Sequence, residues 1–299
     1  MSSFFTKRFI RVSLLVLVIG GLLGVFIVIK NNNSTEIADV SQELQLEHRV
    51  IGLSVEGREI EAYSYSPQVN GDGNNKKEHL VFVGGVHGGY EWNSVLLAYR
   101  FIDYLKDNLA SIPDNLAITV IPSLNPDGVY KVIKKEGRFD VADVPDNGQF
   151  EEGRFNANGV DLNRNFDCKW KPESTWRQKV VSAGSSPFSE PETLVFKKFV
   201  SNTNPTVVVF WHSQANAVYA SECEYGVLPG TLNLMNTYSK ASGYSPVESF
   251  DSYEVTGDAE GWLASINIPA ITVELKTHET IEWSKNLAGI EALFNYYSK

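Results

Sequence analysis

Apolar and polar positions change period several times along this chain, and the largest change comes first. From Val12 to Ile29 the residues are uncharged and almost wholly Leu, Val, Ile, Gly and Phe, with Lys7, Arg8 and Arg11 ahead of them and Lys30 and three asparagines behind. At about 1.5 Å per helical residue this run covers roughly 27 Å, close to a thin hydrocarbon core and longer than a signal-peptide core. No small-x-small cleavage site follows it. The pattern predicts an uncleaved signal anchor, with its N-terminus in the cytoplasm and everything beyond residue 30 exported. Residues 31–46 are polar and without apolar period, as expected of a tether.

Beyond the tether, strand-like runs alternate with helical ones. Val50 to Tyr65 alternates around Glu56-Gly57 and predicts a hairpin at a sheet edge. Leu80–Val86, Ala117–Ile121, Thr206–Trp211 and Ala270–Val273 are short, apolar and β-branched, suited to central strands buried on both faces. Ser94–Leu109 and Thr280–Tyr297 have helical period. Ser189–Val200 reads as a helix opened by a capping box of Ser189 and Glu192. Lys131–Asn158, rich in Gly, Asp and Glu, predicts a long surface loop near a site. The fold class expected is α/β, with a mixed, mainly parallel central sheet flanked by helices. The expected divisions are a cytoplasmic N-terminus (1–11), a transmembrane signal anchor (12–29), a linker (30–46) and one large domain (47–299), long enough to bury a core without help from disulfides.

Charge narrows the partners. Setting aside Lys7, Arg8, Arg11 and Lys30, the exported part carries 22 basic against 36 acidic residues, a formal charge of −14. Nucleic acid and anionic lipid surfaces are therefore poor partners. Contact with the bilayer is expected only through the N-terminal helix, and no obligate protein partner is predicted. Cys168 and Cys223, the two cysteines, lie in a part expected to be exported, where a disulfide persists. Spacing does not decide between a pair and two buried thiols.

The candidate chemistry lies at strand ends. Val86 runs into His87, Trp211 into His212 and Val273 into Glu274. In open α/β sheets, ligands bind beyond the carboxyl ends of the strands, so residues far apart in sequence converge there. Taken singly, each has an ordinary explanation: a hydrogen-bonded histidine, or a solvated helix charge in the case of Glu91. Together, His87, Glu91 and His212 make the donor set of a catalytic zinc site, in which a fourth position stays open, with Glu274 as the base. Four glycines flank His87, allowing a tight bend and leaving space beside the imidazole. His48, His79 and His278 lack such a context and are expected at the surface.

These residues resemble the zinc metallocarboxypeptidases similar to carboxypeptidase A. The resemblance covers nearly the whole of residues 47–299, and its segments follow in order. They are the hairpin Ile51–Ile60, the first metal motif Gly84–Asn93, Asn125-Pro126-Asp127-Gly128, the substrate-binding segment Asn158–Phe166, Pro187–Glu192, the second metal motif His212-Ser213, and Thr272-Val273-Glu274-Leu275. In one respect the chain departs from the family: three residues separate His87 from Glu91, where two are usual.

The resemblance implies a role for each matched position. Asn163 and Arg164 would grip the free carboxylate of a peptide, since a guanidinium fork pairs with a carboxylate bidentately. Arg154 would lie over the scissile carbonyl, with Arg138 as a substitute, and Tyr253 would close over bound substrate. Glu274 would move the protons, ahead of Glu279 and Glu282, which follow no strand directly. Asp258 or Glu260 at the pocket floor would attract a cationic side chain such as Lys, Arg or diaminopimelate, although Glu260 could equally start a helix. The expected function is zinc-dependent removal of a C-terminal residue, with one Zn2+ per chain. The alternatives are a deacylase, a cell-wall peptidase cutting γ-glutamyl or diaminopimelate bonds, and an inactive zinc-dependent peptide-binding module. The short tether leaves no room for a folded pro-domain, so the enzyme is expected to be active as made.

Overall fold

The computed structural model describes residues 46–66 and 77–299. The expected cytoplasmic N-terminus, the anchor at 12–29 and all but the last residue of the linker lie outside the described residues. Among the described residues no helix is long and apolar enough to cross a membrane.

In chain order the elements are β1 (Leu46–Leu53), β2 (Glu59–Tyr65), β3 (Glu78–Val83), α1 (Trp92–Asp107), β4 (Leu116–Ile121), α2 (Pro126–Ile133), β5 (Glu173–Trp176), β6 (Lys179–Ser182), α3 (Pro191–Thr203), β7 (Val207–Ser213), β8 (Ala217–Ala220), β9 (Glu222–Cys223), β10 (Gly226–Val227), α4 (Pro229–Ser242), β11 (Ser245–Val247), α5 (Ala259–Ser265), β12 (Ala270–Leu275) and α6 (Trp283–Tyr297). Eight strands form one sheet in the order β1-β2-β4-β3-β7-β12-β8-β11. The expected hairpin is β1–β2 at the edge, antiparallel. The four expected core strands are neighbours and mutually parallel: β3 with β4 and β7, and β12 with β7. Two small hairpins, β5–β6 and β9–β10, stand apart from the sheet.

Because side chains alternate across a strand, the central strands feed two cores. Leu80 and Phe82 of β3, Val209 and Trp211 of β7, and Ile271 and Val273 of β12 pack against α1, α4 and α6. Val81 and Val83, Val208 and Phe210, and Ala270 face α3 and α5. Each fully buried large side chain contributes about 1.5–3 kcal/mol, so runs apolar at every position stabilise only strands covered on both sides. Phe210→Ala would cost about 3–5 kcal/mol and would loosen the strand that carries His212.

Several local expectations need correction. The capping box of Ser189 and Glu192 does not form: α3 starts at Pro191 after Glu190. Asn165 Oδ1 instead accepts hydrogen bonds from the Glu190 amide and the Thr193 hydroxyl, while buried Glu192 accepts from the Val55 amide and Asn156. The final helix begins at Trp283, not Thr280. Lys131–Asn158 is not simply a surface loop: it starts within α2, buries Phe139 and Asn156, and ends beside buried Arg154. Strands β8 and β11 and helix α4 carry too short or too mixed a pattern to be read beforehand.

Candidate metal and catalytic site

The site forms at the carboxyl ends of β3, β7 and β12, on both sides of the point where the chain's crossovers reverse direction. β3 ends at Val83, three residues earlier than the apolar run implies, and Gly84–Val86 turns the chain towards His87. A single 3-10 turn, Gly88–Glu91, then leads into α1. That turn absorbs the extra residue between the two donors. Gly88 has φ +47, and a Cβ there would lie 2.6 Å from the Gly153 carbonyl oxygen, while one on Gly89 would lie 2.6 Å from Val132. Only glycines let the turn press against α2 and Gly153 closely enough to bring Glu91 back to His87.

The three donors converge. His87 Nδ1 lies 2.8 Å from one Glu91 oxygen, His212 Nδ1 lies 2.9 Å from the other, and the two Nδ1 atoms are 3.1 Å apart. All three side chains are buried, and their ligating atoms lie within 4.8 Å of one another. Each imidazole turns its remaining nitrogen to a buried carboxylate: His87 Nε2 to Asp161 at 3.6 Å and His212 Nε2 to Glu260 at 3.4 Å. These contacts are longer than ordinary hydrogen bonds and leave both Nε2 atoms unpartnered. Two facing ring nitrogens and a carboxylate, backed by carboxylates and open to a cleft, fit a catalytic zinc ion. The three groups are also strongly coupled electrostatically. Burial alone would raise the Glu91 pKa, but the facing histidines hold it well below the usual carboxylate range. Burial alone would lower that of His212, yet Glu91 and Glu260 push it well above normal.

Glu274 stands opposite His212 in the register of parallel β12 and β7. It is held among other charges, and its Oε2 has no hydrogen-bond partner among the described residues. Burial first, then the Glu91 charge, raises its pKa to about 8 against the opposing pull of His212 and Arg154. The charge of a metal ion held by the three donors would oppose this rise and favour the carboxylate form that accepts a proton. Glu279 and Glu282 lie elsewhere: Glu282 bonds Tyr244 and the Lys276 amide.

Arg154 is buried, with Nε and Nη2 each 2.8 Å from Asp161 Oδ2 and its guanidinium carbon 4.5 Å from the Trp176 ring centroid. Its Nη1 reaches to 4.0 Å from Glu91. Arg138 is outside the site, paired at the surface with Asp103, so it is no substitute. Arg164 donates to the carbonyls of Asn163 and Thr175, and Asn163 Oδ1 accepts from the Ala259 amide. With Tyr253, Asp258, Glu260 and Glu274, these residues line one cleft of about 560 Å3.

The two acidic pocket candidates differ. Glu260 accepts a hydrogen bond from Thr272 at 2.8 Å and faces His212, so its carboxylate is turned to the metal donors. Asp258 caps α5 through the Gly261 amide and has its pKa raised to about 6 by burial and by Glu260. Tyr253 packs edge-on against Phe250 at 4.9 Å on the cleft wall. The cysteines pair: Cys168 and Cys223 form a disulfide whose Cα atoms are 6.0 Å apart, joining the segment after Arg164 to β9.

Two histidines expected at the surface are not there. His79 is largely buried, bonded to Thr119 and packed on Phe199. His278 bonds Ser213 at 2.7 Å and lies against Tyr90 at 4.7 Å, beside the metal donors. His48 is exposed and paired with Glu61. Sequence reasoning also gave no role to Asp161, although the segment around it was singled out, and none to Tyr90, Trp176 and Arg177. The last two belong to a hairpin with no motif, and only folding shows that it walls the cleft.

A mixed sheet with a buried His-Glu-His centre at its carboxyl edge has the donor set of a metal-dependent hydrolase. The sequence profile of zinc carboxypeptidases, Peptidase_M14, matches residues 42–287, and the chain belongs to that zinc-dependent family. It is 26% identical over 222 residues to gamma-D-glutamyl-L-diamino acid endopeptidase 1 of Lysinibacillus sphaericus, covering 67% of this chain and 55% of the relative. It is 29% identical over 157 residues to murein peptide amidase A of Escherichia coli K12, covering 49% and 61%. The chain thus spans little more than half the length of these two curated relatives. In fold it is similar to murein-tripeptide amidase MpaA of Escherichia coli O157, with a TM-score of 0.57 and 21% identity over 86% of this chain and 94% of that one. Thrombin activatable fibrinolysis inhibitor is also similar, with a TM-score of 0.64 and 19% identity over 85% and 68%.

Proposed function

We propose that the protein is a zinc peptidase that releases a C-terminal residue with a cationic side chain. The observation that carries this reading is the content of a single cleft: Asn163 and Arg164 for a terminal carboxylate, Asp258 for a cation, and Glu274 beside the His87-Glu91-His212 donors. Bound by those three donors, zinc would polarise the scissile carbonyl and lower the pKa of a water to about 7. Glu274 takes the proton of the attacking water and hands it to the leaving amine. Arg154, clamped by Asp161, offers its free Nη1 to the developing oxyanion without having to reorganise. Tyr253 closes the cleft over the departing residue.

The substrate of the second reading is a cell-wall stem peptide, in which the departing residue is a diamino acid on a γ-glutamyl bond. The activities named for the relatives from Lysinibacillus sphaericus and Escherichia coli favour it, and every residue named above is compatible with it. A peptide-binding module without activity is disfavoured because Glu274 is in place. We place the protein at the cell membrane, single-pass, with its catalytic domain outside the cytoplasm. The apolar run at 12–29 behind Lys7, Arg8 and Arg11 supports this, as does the disulfide, a bond that persists in oxidising compartments.

Mass spectrometry of products from the full-length zinc-loaded protein tests the reading. Peptides ending in Lys, Arg, Phe, Ala or an amide would be offered alongside a γ-D-glutamyl-diaminopimelate peptide, with and without chelator. Chelator-sensitive loss of one basic terminal residue, absent for the amide, is expected. Cleavage of the γ-linked peptide alone selects the second reading, and cleavage of none removes both.

A further inference from the structure

Hairpin β5–β6 presents three consecutive residues to three different groups of the cleft. The Thr175 carbonyl accepts from Arg164 at 3.1 Å, the Trp176 ring covers the Arg154 guanidinium, and Arg177 Nη2 donates to Tyr90 Oη at 2.9 Å. Arg164 belongs with the terminal carboxylate and Arg154 with the scissile carbonyl. The order along the strand therefore carries Arg177 one step further, to the residue that contributes the scissile carbonyl. An extended peptide advances about 3.3 Å per residue, the same pitch as the strand beside it.

Arg177 is an unusual occupant of that place. It is the first of the two residues linking β5 to β6, with φ +56, a conformation in which glycine would be relaxed and an arginine is strained. Its acidic neighbour Glu151 is taken by Lys179 at 2.6 Å, and Arg177 forms no ion pair among the described residues. Among the described residues only one of its five N–H donors makes a hydrogen bond, to Tyr90. Tyr90 packs between Trp176, at 5.2 Å, and His278, which holds it from behind. The guanidinium is thus steadied at the cleft mouth with most of its donors free, beside a centre otherwise crowded with carboxylates.

We propose that Arg177 is a specificity-determining residue that receives a carboxylate on the residue preceding the scissile bond. Such a group occurs on a peptide with an acidic residue there, and next to a γ-linked glutamyl bond, where the α-carboxylate is free. This assignment rests on the reading of the cleft as that of a peptidase releasing a C-terminal residue, and it identifies the substrate as acidic before the bond and basic after it.

The test uses the full-length zinc-loaded protein and peptide pairs ending in Lys that differ only in that carboxylate: Glu against Gln at the preceding position in α-linked form, and γ-linked D-Glu against its α-amide, D-isoglutamine, which serves as the Gln member of that pair. Wild type is expected to favour Glu over Gln by about tenfold in kcat/KM, the discrimination a charge-assisted hydrogen bond supplies. Arg177→Ala should bring the ratio near one by slowing only the Glu peptides, and Arg177→Lys should restore part of it. Lys169→Ala removes the other exposed cleft cation, beside the disulfide, and should leave the ratio unchanged. Equal loss on Glu and Gln peptides in Arg177→Ala, or no preference in wild type, overturns the proposal. Binding of the same pairs to Glu274→Gln, with and without Arg177→Ala, reads the preference without turnover. If no peptide is cleaved, the peptidase reading fails, while equal affinity for Glu and Gln peptides sinks the role of Arg177 itself.

Discussion

Glu274 and His212 are register partners on adjacent parallel strands, both projecting from the face of the sheet that carries Val208, Phe210 and Ala270. Strand pairing therefore sets the distance between the proposed proton carrier and a candidate metal donor, and no flexible loop intervenes. In Glu274→Gln the shape and donors persist while the transferable proton is lost. We expect kcat to fall by about 10²–10⁴-fold with peptide affinity little changed. An equal collapse of binding, measured by calorimetry, would mean that Glu274 is structural.

Glu260 approaches His212 from the side away from Glu91. A carboxylate behind a ligating imidazole fixes its tautomer and raises its basicity, and loss of such a partner costs about 10–100-fold in metal affinity. Glu260→Gln should weaken zinc binding by that order, as read by competition with a chromophoric chelator, and should leave the preference for terminal Lys over Phe intact. A lost preference with unchanged zinc affinity would instead assign Glu260 to the side-chain pocket.

Asp258 gives the pH dependence. Its folded pKa is raised to about 6 by burial and by Glu260, above the ordinary aspartate value of about 3.9. The folded state thus holds this proton more tightly than the unfolded chain. Its contribution is complete below about pH 4, is lost as pH rises through about 6, and is a constant penalty above that. Asp258→Asn keeps a side chain able to cap α5 and removes the charge. It should stabilise the protein by up to about 3 kcal/mol at pH 8 and by nothing near pH 3.5. The variant should also lose selectivity for basic terminal residues. Denaturant unfolding at the two pH values checks the sign, and a larger gain at low pH would contradict it.

The Cys168–Cys223 disulfide closes a loop with a sequence separation of 55, for which chain entropy predicts about 4 kcal/mol of stabilisation. Replacing both cysteines by serine should lower stability by about 2–4 kcal/mol and slow hydrolysis by loosening the cleft wall next to Lys169 and Glu222. Calorimetric melting of the two proteins decides it, and an unchanged midpoint would show that packing alone holds this wall.

Much of the fold was legible because its determinants are local. The β-branched runs of β3, β4, β7 and β12 are apolar at successive positions, which only strands covered on both faces sustain. The Gly84–Gly89 run announced a tight turn around His87 for steric reasons that hold in any context. His87, His212 and Glu274 were marked by their place at the ends of apolar runs, and Glu91 by the family resemblance of the segment around it and the lack of another carboxylate near His87. What the sequence left open depends on contacts between distant segments. The extra residue before Glu91 is harmless only because Gly88 and Gly89 meet Gly153 and Val132. Asn165, rather than Ser189, supports the start of α3 because the segment Asn158–Phe166 folds over it. Asp161, Glu260 and His278 gain their roles from the side chains they face, and Arg177 from a hairpin with no motif of its own. Local propensity and periodicity decide which segments become strands and helices, whereas the direction and ionisation of a buried polar side chain follow from what packing sets against it, and that only the tertiary structure decides.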